Sequence, residues 1–305
     1  MSGVLRIGII GFDTSHVPAF TRLLNDAQDP FHVPGGRVVA GFPSFSKDLE
    51  ASYSRVDGFV ADVSGPYGVE IVDSAEALVD RVDAVLLESV DGRRHLAEIR
   101  PVLAARKPVY VDKPLAASYR EAAEIARLAA HYRCPLFSSS SLRFDANIAA
   151  VKADPGLGKV LACDAFSPAK LDPTNPGLFW YGIHGVEILY TFMGVGCQSV
   201  YAHASDDHDV VVGRWASGRV ASMRGIREGS LGYGATVFAE GQVAQVQYSK
   251  QIPIYAQLLK EIVPFFQGGP APVAVSETLE IMAFIEAAII SQAQGREVAL
   301  SEVMG

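Results

Sequence analysis

Val109-Tyr110-Val111-Asp112-Lys113-Pro114-Leu115-Ala116 is an apolar run that closes on an acid, a lysine and a proline, with a helix-like stretch behind it. Such a run, bounded by a turn residue, reads as a short buried strand. In open α/β sheets, ligands sit beyond the carboxyl ends of the strands. Lys113 stands at that end, and Pro114 fixes the direction in which the chain leaves. An isolated Lys-Pro after an edge strand would be an ordinary surface feature. The residues upstream decide between the two readings.

There the chain alternates short β-rich runs with helical periodicity, the pattern of a parallel sheet with crossover helices. Residues 4–10 read as the first strand. Asp13, Thr14 and Ser15 are all N-cap types ahead of a helix through Phe20, Leu23 and Leu24, with Pro18 tolerated in its first turn. Asp13 is the expected cap. Residues 37–41 form the second strand and 83–88 the fourth, and a helix over 93–106 leads into the quoted stretch, which is therefore the fifth. Ser118 caps a strongly periodic helix (Ala122, Ile125, Ala126, Ala129), and residues 135–138 supply a sixth strand. Between Ser44 and Asp73 the pattern is weak and predicts only loop and a short strand. This is a nucleotide-binding layout, with Lys113 pointing into the ligand crevice.

The character changes after about Leu142. A helix over 143–153, a strand over 160–166 and a helix carrying His184 and Glu187 precede β-like runs at 198–204, 210–215, 219–224, 236–239 and 243–248. Helices over 253–266 and 276–294 close the chain. The loop over 167–177 holds three prolines and is long for a mere connection, so it is a candidate to line a site. The expected class is α/β. A dinucleotide-binding domain spans residues 1–141, and residues 142–305 form an α+β domain with an open antiparallel sheet, for substrate binding and oligomerisation.

With 305 residues, 49% of them hydrophobic, the chain can bury a large core in two domains. A net charge of -8 without a Lys/Arg cluster argues against a nucleic-acid partner. Three scattered cysteines, Cys134, Cys163 and Cys197, make neither a disulfide framework nor a metal site and suit a reducing cytosol. No signal peptide or membrane-length apolar run is read, so the expectation is a cytoplasmic protein with a small-molecule substrate and no membrane partner. His203, Asp206, Asp207, His208 and Asp209 have metal-ligand chemistry but fall where a hairpin loop is expected. Three adjacent acids cannot converge on one ion from a tight turn, so no metal is expected. Neither a Gly-x-Ser-x-Gly elbow nor a Walker loop occurs.

Two short segments carry a resemblance. Asp112-Lys113-Pro114 is similar to a Glu-Lys-Pro signature with the acid one methylene shorter, and Gly182-Ile183-His184-Gly185-Val186-Glu187 to a Gly-x-His-x-x-Asp segment. Smaller echoes are His95, Ala116, Arg143-Phe144, Glu240-Gly241, and Ser291 with Gly295-Arg296-Glu297-Val298. In this order they make the whole chain resemble the glucose–fructose oxidoreductase / inositol dehydrogenase (Gfo/Idh/MocA) family. The resemblance implies an N-terminal Rossmann domain and a cofactor, NAD or NADP. It further implies an NAD(P)-dependent oxidoreductase acting on a sugar, polyol or related hydroxyl or carbonyl substrate, assembled as a homodimer or homotetramer through its antiparallel sheets. Two alternatives stay open: an NAD-dependent lyase or glycosidase on the same scaffold, and a non-catalytic ligand-binding relative.

Three departures from the family pattern bear on the site. The phosphate loop, Gly-x-Gly-x-x-Gly in the family, reads Gly11-Phe12-Asp13-Thr14-Ser15-His16 and keeps only the first glycine. These six residues are the expected pyrophosphate contacts, with capping or packing as the other role for His16. The acid that holds the ribose hydroxyls after the second strand is missing, and Ser44, Ser46 and Lys47 stand there as receivers of a 2′-phosphate or as a solvated loop. Trp180 replaces the aspartate four residues before the histidine, so His184 lacks its usual orienting group. Lys170 and Asp172 are candidates to reach that space, Asp172 as a replacement carboxylate or else as a turn residue ahead of Pro173. The resemblance places Asp112 and Lys113 at the cofactor and Trp180 on the substrate side. It makes Lys113 the expected base and substrate-oxygen ligand, with His184 as its partner. Burial and neighbouring cations lower a lysine toward neutrality, where a histidine already titrates.

Overall fold

The computed structural model describes residues 3–305, which fall into two units. The first comprises the residues up to Ala116, Arg120–Ser139 and Tyr255–Val275; the second comprises Ala117–Tyr119, Ser140–Ile254 and Ser276–Gly305.

In the first unit β1 (Leu5–Ile10) leads to α1 (His16–Asn25), β2 (Gly36–Phe42), α2 (Glu50–Tyr53), α3 (Val56–Tyr67) and β3 (Glu70–Ile71). There follow α4 (Ala75–Val79), β4 (Ala84–Leu87), α5 (Gly92–Ala104), β5 (Val109–Asp112), α6 (Tyr119–Tyr132) and β6 (Leu136–Ser139). The sheet order is β3-β2-β1-β4-β5-β6 with every pair parallel. All residues of β4 and β5 are buried, as strands covered on both faces must be, which is why they read as unbroken apolar runs. The order reverses between β1 and β4, and ligands enter α/β sheets at such a switch point. Where the sequence predicts only loop and a short strand, α2 and α3 are present. Gly58, Gly65 and Pro66 depress the intrinsic helix propensity of α3, which is stabilised instead by packing against α1 and stopped by Gly68 in the left-handed region.

The second unit opens with a 3-10 turn at Ser141–Phe144 and α7 (Ala146–Ala153), whose N-cap Asp145 accepts from the amides of Asn147 and Ile148. β7 (Val160–Pro168), a 3-10 turn at Gly177–Phe179 and α8 (Ile183–Met193) come next, then β8 (Cys197–Ala204), β9 (His208–Trp215), β10 (Val220–Ile226), β11 (Gly234–Ala239) and β12 (Val243–Gln247). The last elements are α9 (Ile254–Phe266), α10 (Val275–Gln294), β13 (Val298–Ala299) and α11 (Ser301–Met304). The strands form one sheet in the order β12-β11-β7-β10-β9-β8-β13, antiparallel except for the β7–β10 pair. Alternate residues of β9 and β10 are buried, so one face of the sheet is covered and the other is not. Helix α8 covers the buried face at β7 and β10.

Helix α9 belongs to the first unit, although the sequence reading counts it with the second. Its apolar stripe supplies Leu258, Leu259, Ile262 and Phe265 to a core where Phe265 meets Phe137 edge-on at 4.9 Å and Tyr255 meets His16 and Phe20. Periodicity shows that a helix has an apolar face; it does not name the partner. Among the described residues no helix is long and apolar enough to cross a membrane, and no group of three or more His, Cys, Asp or Glu side chains is placed to hold a metal.

Candidate active site

At the carboxyl end of β1 the chain turns at Gly11, whose φ of 87° lies in the left-handed region. A β-carbon there would stand 2.2 Å from the Ser89 amide nitrogen, so only glycine lets this loop lie against the one after β4. Phe12 is fully buried, with its ring 2.2 Å from where a β-carbon on Gly41 would be. Asp13 is fully buried too, and its carboxylate accepts from the Ser52 hydroxyl at 2.6 Å and the Val90 amide at 2.9 Å. It is not the helix cap that the sequence predicts. Ser15 takes that position without a side-chain bond to the helix, and Thr14 Oγ1 reaches the His16 amide only at 3.5 Å. Two donors, one in α2 and one in the loop after β4, draw Asp13 inward. In the first turn of α1 Val17 donates to Thr14 O and Pro18 has no N–H, which leaves the His16 amide, held only at 3.5 Å, as the one of the kind that binds phosphate.

Ionisable groups crowd the ends of β1, β4 and β5. Glu88 is fully buried and neither carboxylate oxygen has a hydrogen-bond partner. Burial, then the charges of Asp112 and Asp13, push its pKa well above the glutamate range, toward a neutral acid. Burial likewise raises Asp13, with Glu98 adding to it, against the bonds from Ser52 and Val90. His16 Nδ1 lies 3.4 Å from Asp112, and its ring stacks on Phe20. Burial lowers its pKa, opposed by Asp112 and assisted by Lys113 and Arg55. Lys113 is buried, and the Lys113–Pro114 bond is cis. The His95 ring ties the two strand ends together, with Nε2 2.7 Å from Ser89 O and Nδ1 2.9 Å from Pro114 O.

Beyond β2 lies a cavity of about 530 Å³ lined by Phe42, Ser44, Ser46, Lys47, Arg93 and Arg94, among others. Arg94 donates to Ser44 Oγ at 2.7 Å and to Glu98 at 2.7 Å; Glu98 also accepts from Ser44 and, at 2.6 Å, from Ser89. Arg93 bridges Asp48 and Asp91, and Ser46 donates to Asp91 at 2.6 Å. Lys47 is exposed at the rim. Glu88, Ser89, Arg93, Arg94 and Glu98 escape the sequence reading. Their signal was position: they follow the fourth strand, which borders the switch point in this strand order.

In the second unit His184 stands in the first turn of α8. Gly185 lets that helix onto the sheet, since a β-carbon there would stand 2.7 Å from Met223 and 2.8 Å from Ser167. His184 Nδ1 lies 2.7 Å from Ser140 Oγ. Tyr181 and Tyr233 meet its ring edge-on at 5.2 and 5.8 Å, and their hydroxyls are 3.1 Å apart. Arg143 is buried between Glu187, through Nε, and Glu277, through Nη1 at 2.6 Å. Asp172 does not orient His184: its carboxylate accepts from the Thr174 amide at 2.8 Å and hydroxyl at 2.5 Å, so it closes its own turn. Lys170 is exposed, and Trp180, half-buried, follows the 3-10 turn. Ser140 was hidden in a run of four serines, 138–141, that gives no hint which one faces a histidine.

The first unit fits a dinucleotide. Gly11 makes the turn, α1 offers the His16 amide, and the cavity beyond β2 carries hydroxyls and guanidinium groups, the latter neutralising Asp48, Asp91 and Glu98. Asp13 is engaged by Ser52 and Val90 and Glu88 is held toward neutrality, so neither presents a bare charge to phosphate. Residues 5–140 match the model of the GFO_IDH_MocA oxidoreductase family, NAD-binding Rossmann fold. Inositol 2-dehydrogenase 2 of Mycolicibacterium vanbaalenii is 32% identical over 152 residues, which span 49% of this chain and 38% of that protein. The structure of scyllo-inositol dehydrogenase from Lactobacillus casei with bound NAD(H) and scyllo-inositol superposes with a TM-score of 0.78 at 14% identity, covering 98% of this chain and 100% of that one. An oxidoreductase from Agrobacterium radiobacter in complex with NAD+, L-tartaric acid and magnesium does so with a TM-score of 0.77 at 17% identity, covering 98% and 99%. At such identities the structural likeness is one of fold. Residues 5–140, on a sheet of the dinucleotide-binding order, are an NAD-binding Rossmann domain of the Gfo/Idh/MocA oxidoreductase type.

Proposed function

We propose that the protein is an NAD(P)-dependent oxidoreductase that interconverts a hydroxyl and a carbonyl on a sugar, polyol or related substrate. The observation that carries this reading is Lys113, buried at the end of β5 within the segment that matches the family. A bound nicotinamide dinucleotide would supply the two-electron acceptor or donor. The loop from Gly11 to His16 would hold its pyrophosphate, and Asp112 and Lys113 its nicotinamide end. Lys113 receives the hydroxyl proton and His184 acts with it; Trp180, Lys170 and Asp172 are assigned to the substrate side. Ser44 and Lys47, joined by Arg94, suit the 2′-phosphate of NADP; no acid stands directly after β2 to hold free ribose hydroxyls, and Asp48 farther along the loop is taken up by Arg93. The inositol dehydrogenases among the relatives favour a cyclic polyol. A homodimer or homotetramer through the uncovered sheet face is part of the proposal.

The test is absorbance at the reduced-nicotinamide band with NAD or NADP and a panel of inositols, linear polyols and sugars. Substrate-dependent net reduction supports the reading. Product formation without net reduction would move the protein to the lyase and glycosidase class, and cofactor binding without any turnover would overturn the enzymatic reading.

A further inference from the structure

We infer that Ser140 is the positioning residue of His184, standing in for the carboxylate absent at Trp180, and that it sets the imidazole proton on Nε2. The use made of that proton rests on the proposed oxidoreductase reading; the geometry does not. Ser140 Oγ is fully buried and lies 2.7 Å from His184 Nδ1. It also accepts the Leu142 amide at 3.2 Å. A hydroxyl has one hydrogen and two lone pairs. With a lone pair taken by Leu142, the hydroxyl hydrogen of a buried serine needs an acceptor, and Nδ1 is placed to be it. A ring nitrogen that accepts carries no proton, so the neutral ring is protonated at Nε2.

An aspartate in this role would do the opposite. A carboxylate only accepts, so it holds the proton on Nδ1 and leaves Nε2 as a base. The exchange of carboxylate for hydroxyl thus turns His184 from a proton acceptor into an N–H donor toward a substrate oxygen. The base role then falls to Lys113 alone. The serine is itself held in place: its backbone amide donates to Glu187, one turn along α8 from His184, and Glu187 is paired with buried Arg143. Tyr181 and Tyr233 limit rotation of the ring from its edges.

The experiment uses the full chain, cofactor-free and labelled with 15N-histidine, at about pH 8.5, two units above the ordinary histidine pKa. Long-range 1H–15N spectra report which ring nitrogen is protonated, and His184 is identified by the signal missing from His184→Asn. The expected result is a proton on Nε2 in the wild type and in Ser140→Thr, a mixed population in Ser140→Ala, and a shift to Nδ1 in Ser140→Asp. A wild-type proton on Nδ1, or a Ser140→Ala spectrum identical to the wild type, overturns the inference, and the wild-type spectrum decides even if Ser140→Ala fails to fold. In turnover, Ser140→Ala should lower kcat on the order of 10²-fold with little change in KM, and Ser140→Thr should restore it. The tautomer is read without any reaction, so its failure overturns this inference alone. Absence of nicotinamide reduction by the wild type overturns the functional reading alone.

Discussion

Asp13 and Glu88 are both fully buried acids beside the phosphate loop, yet Asp13 accepts two hydrogen bonds and Glu88 none. A buried carboxylate without donors is costly when charged, so Glu88 keeps its proton in the folded state at pH values where the unfolded chain has lost it. The folded state then binds more protons than the unfolded one, and stability falls as pH rises above the ordinary glutamate value of about 4.3. Glu88→Gln, neutral at every pH, should unfold at a higher temperature than the wild type at pH 8, by about 2 °C or more, and match it near pH 4. Thermal melts of both proteins across that range check this; parallel curves would mean that Glu88 is solvated. Lys113 carries the corresponding functional test. Lys113→Met should lower turnover on the order of 10²- to 10⁴-fold while dinucleotide affinity by calorimetry stays within about threefold, because the role proposed for it is the proton transfer. Asp13 was legible as a capping residue type, but its two partners, Ser52 and Val90, lie far along the chain, and no local pattern encodes that.

Among the elements, the strands were the most legible and α3 the least. β4 and β5 are short apolar runs because both their faces are covered, and that pattern survives in the sequence alone. Helix α3 buries only Val56 and Val63 and contains two glycines and a proline, so its stripe is too thin to read. The periodicity of α5 marks it as a helix, but the sequence gives the two arginines of its first turn no role, because a charge at a helix start has no fixed meaning until the neighbouring loop is placed. In the folded chain Arg94 is held by Ser44 and Glu98 at the cavity beyond β2. A charged hydrogen bond to phosphate contributes about 1.5–3 kcal/mol. Arg94→Ala should therefore raise the Kd for NADP about 10- to 100-fold and that for NAD less than about threefold, by calorimetric titration. Equal losses for both cofactors would show that Arg94 supports the loop and does not read the 2′-phosphate.

At the scale of the whole molecule, the second sheet leaves one face uncovered. Gln245, Thr236, Asp164, Ser222, Val212 and Tyr201 stand in one register row across six strands, and none of them is buried. A self-complementary pairing of such faces would give a two-fold dimer. Light scattering at micromolar concentration should report a dimer or tetramer, and Val212→Glu, an acid placed on the apolar part of the row, should halve the mass or shift the equilibrium at least tenfold toward it. A wild-type monomer contradicts the proposal. The same molecule holds a consequence of the discontinuous first unit. Helix α9 contributes Phe265 against Phe137 and Tyr255 against Phe20, but Ser140–Ile254 must be made before it. At about 5–20 residues per second, the nascent Rossmann core waits on the order of ten seconds on the ribosome with an apolar flank open. Holding that flank until the missing helix emerges is work for whatever binds nascent chains, and slow codons across the second unit would lengthen the exposure.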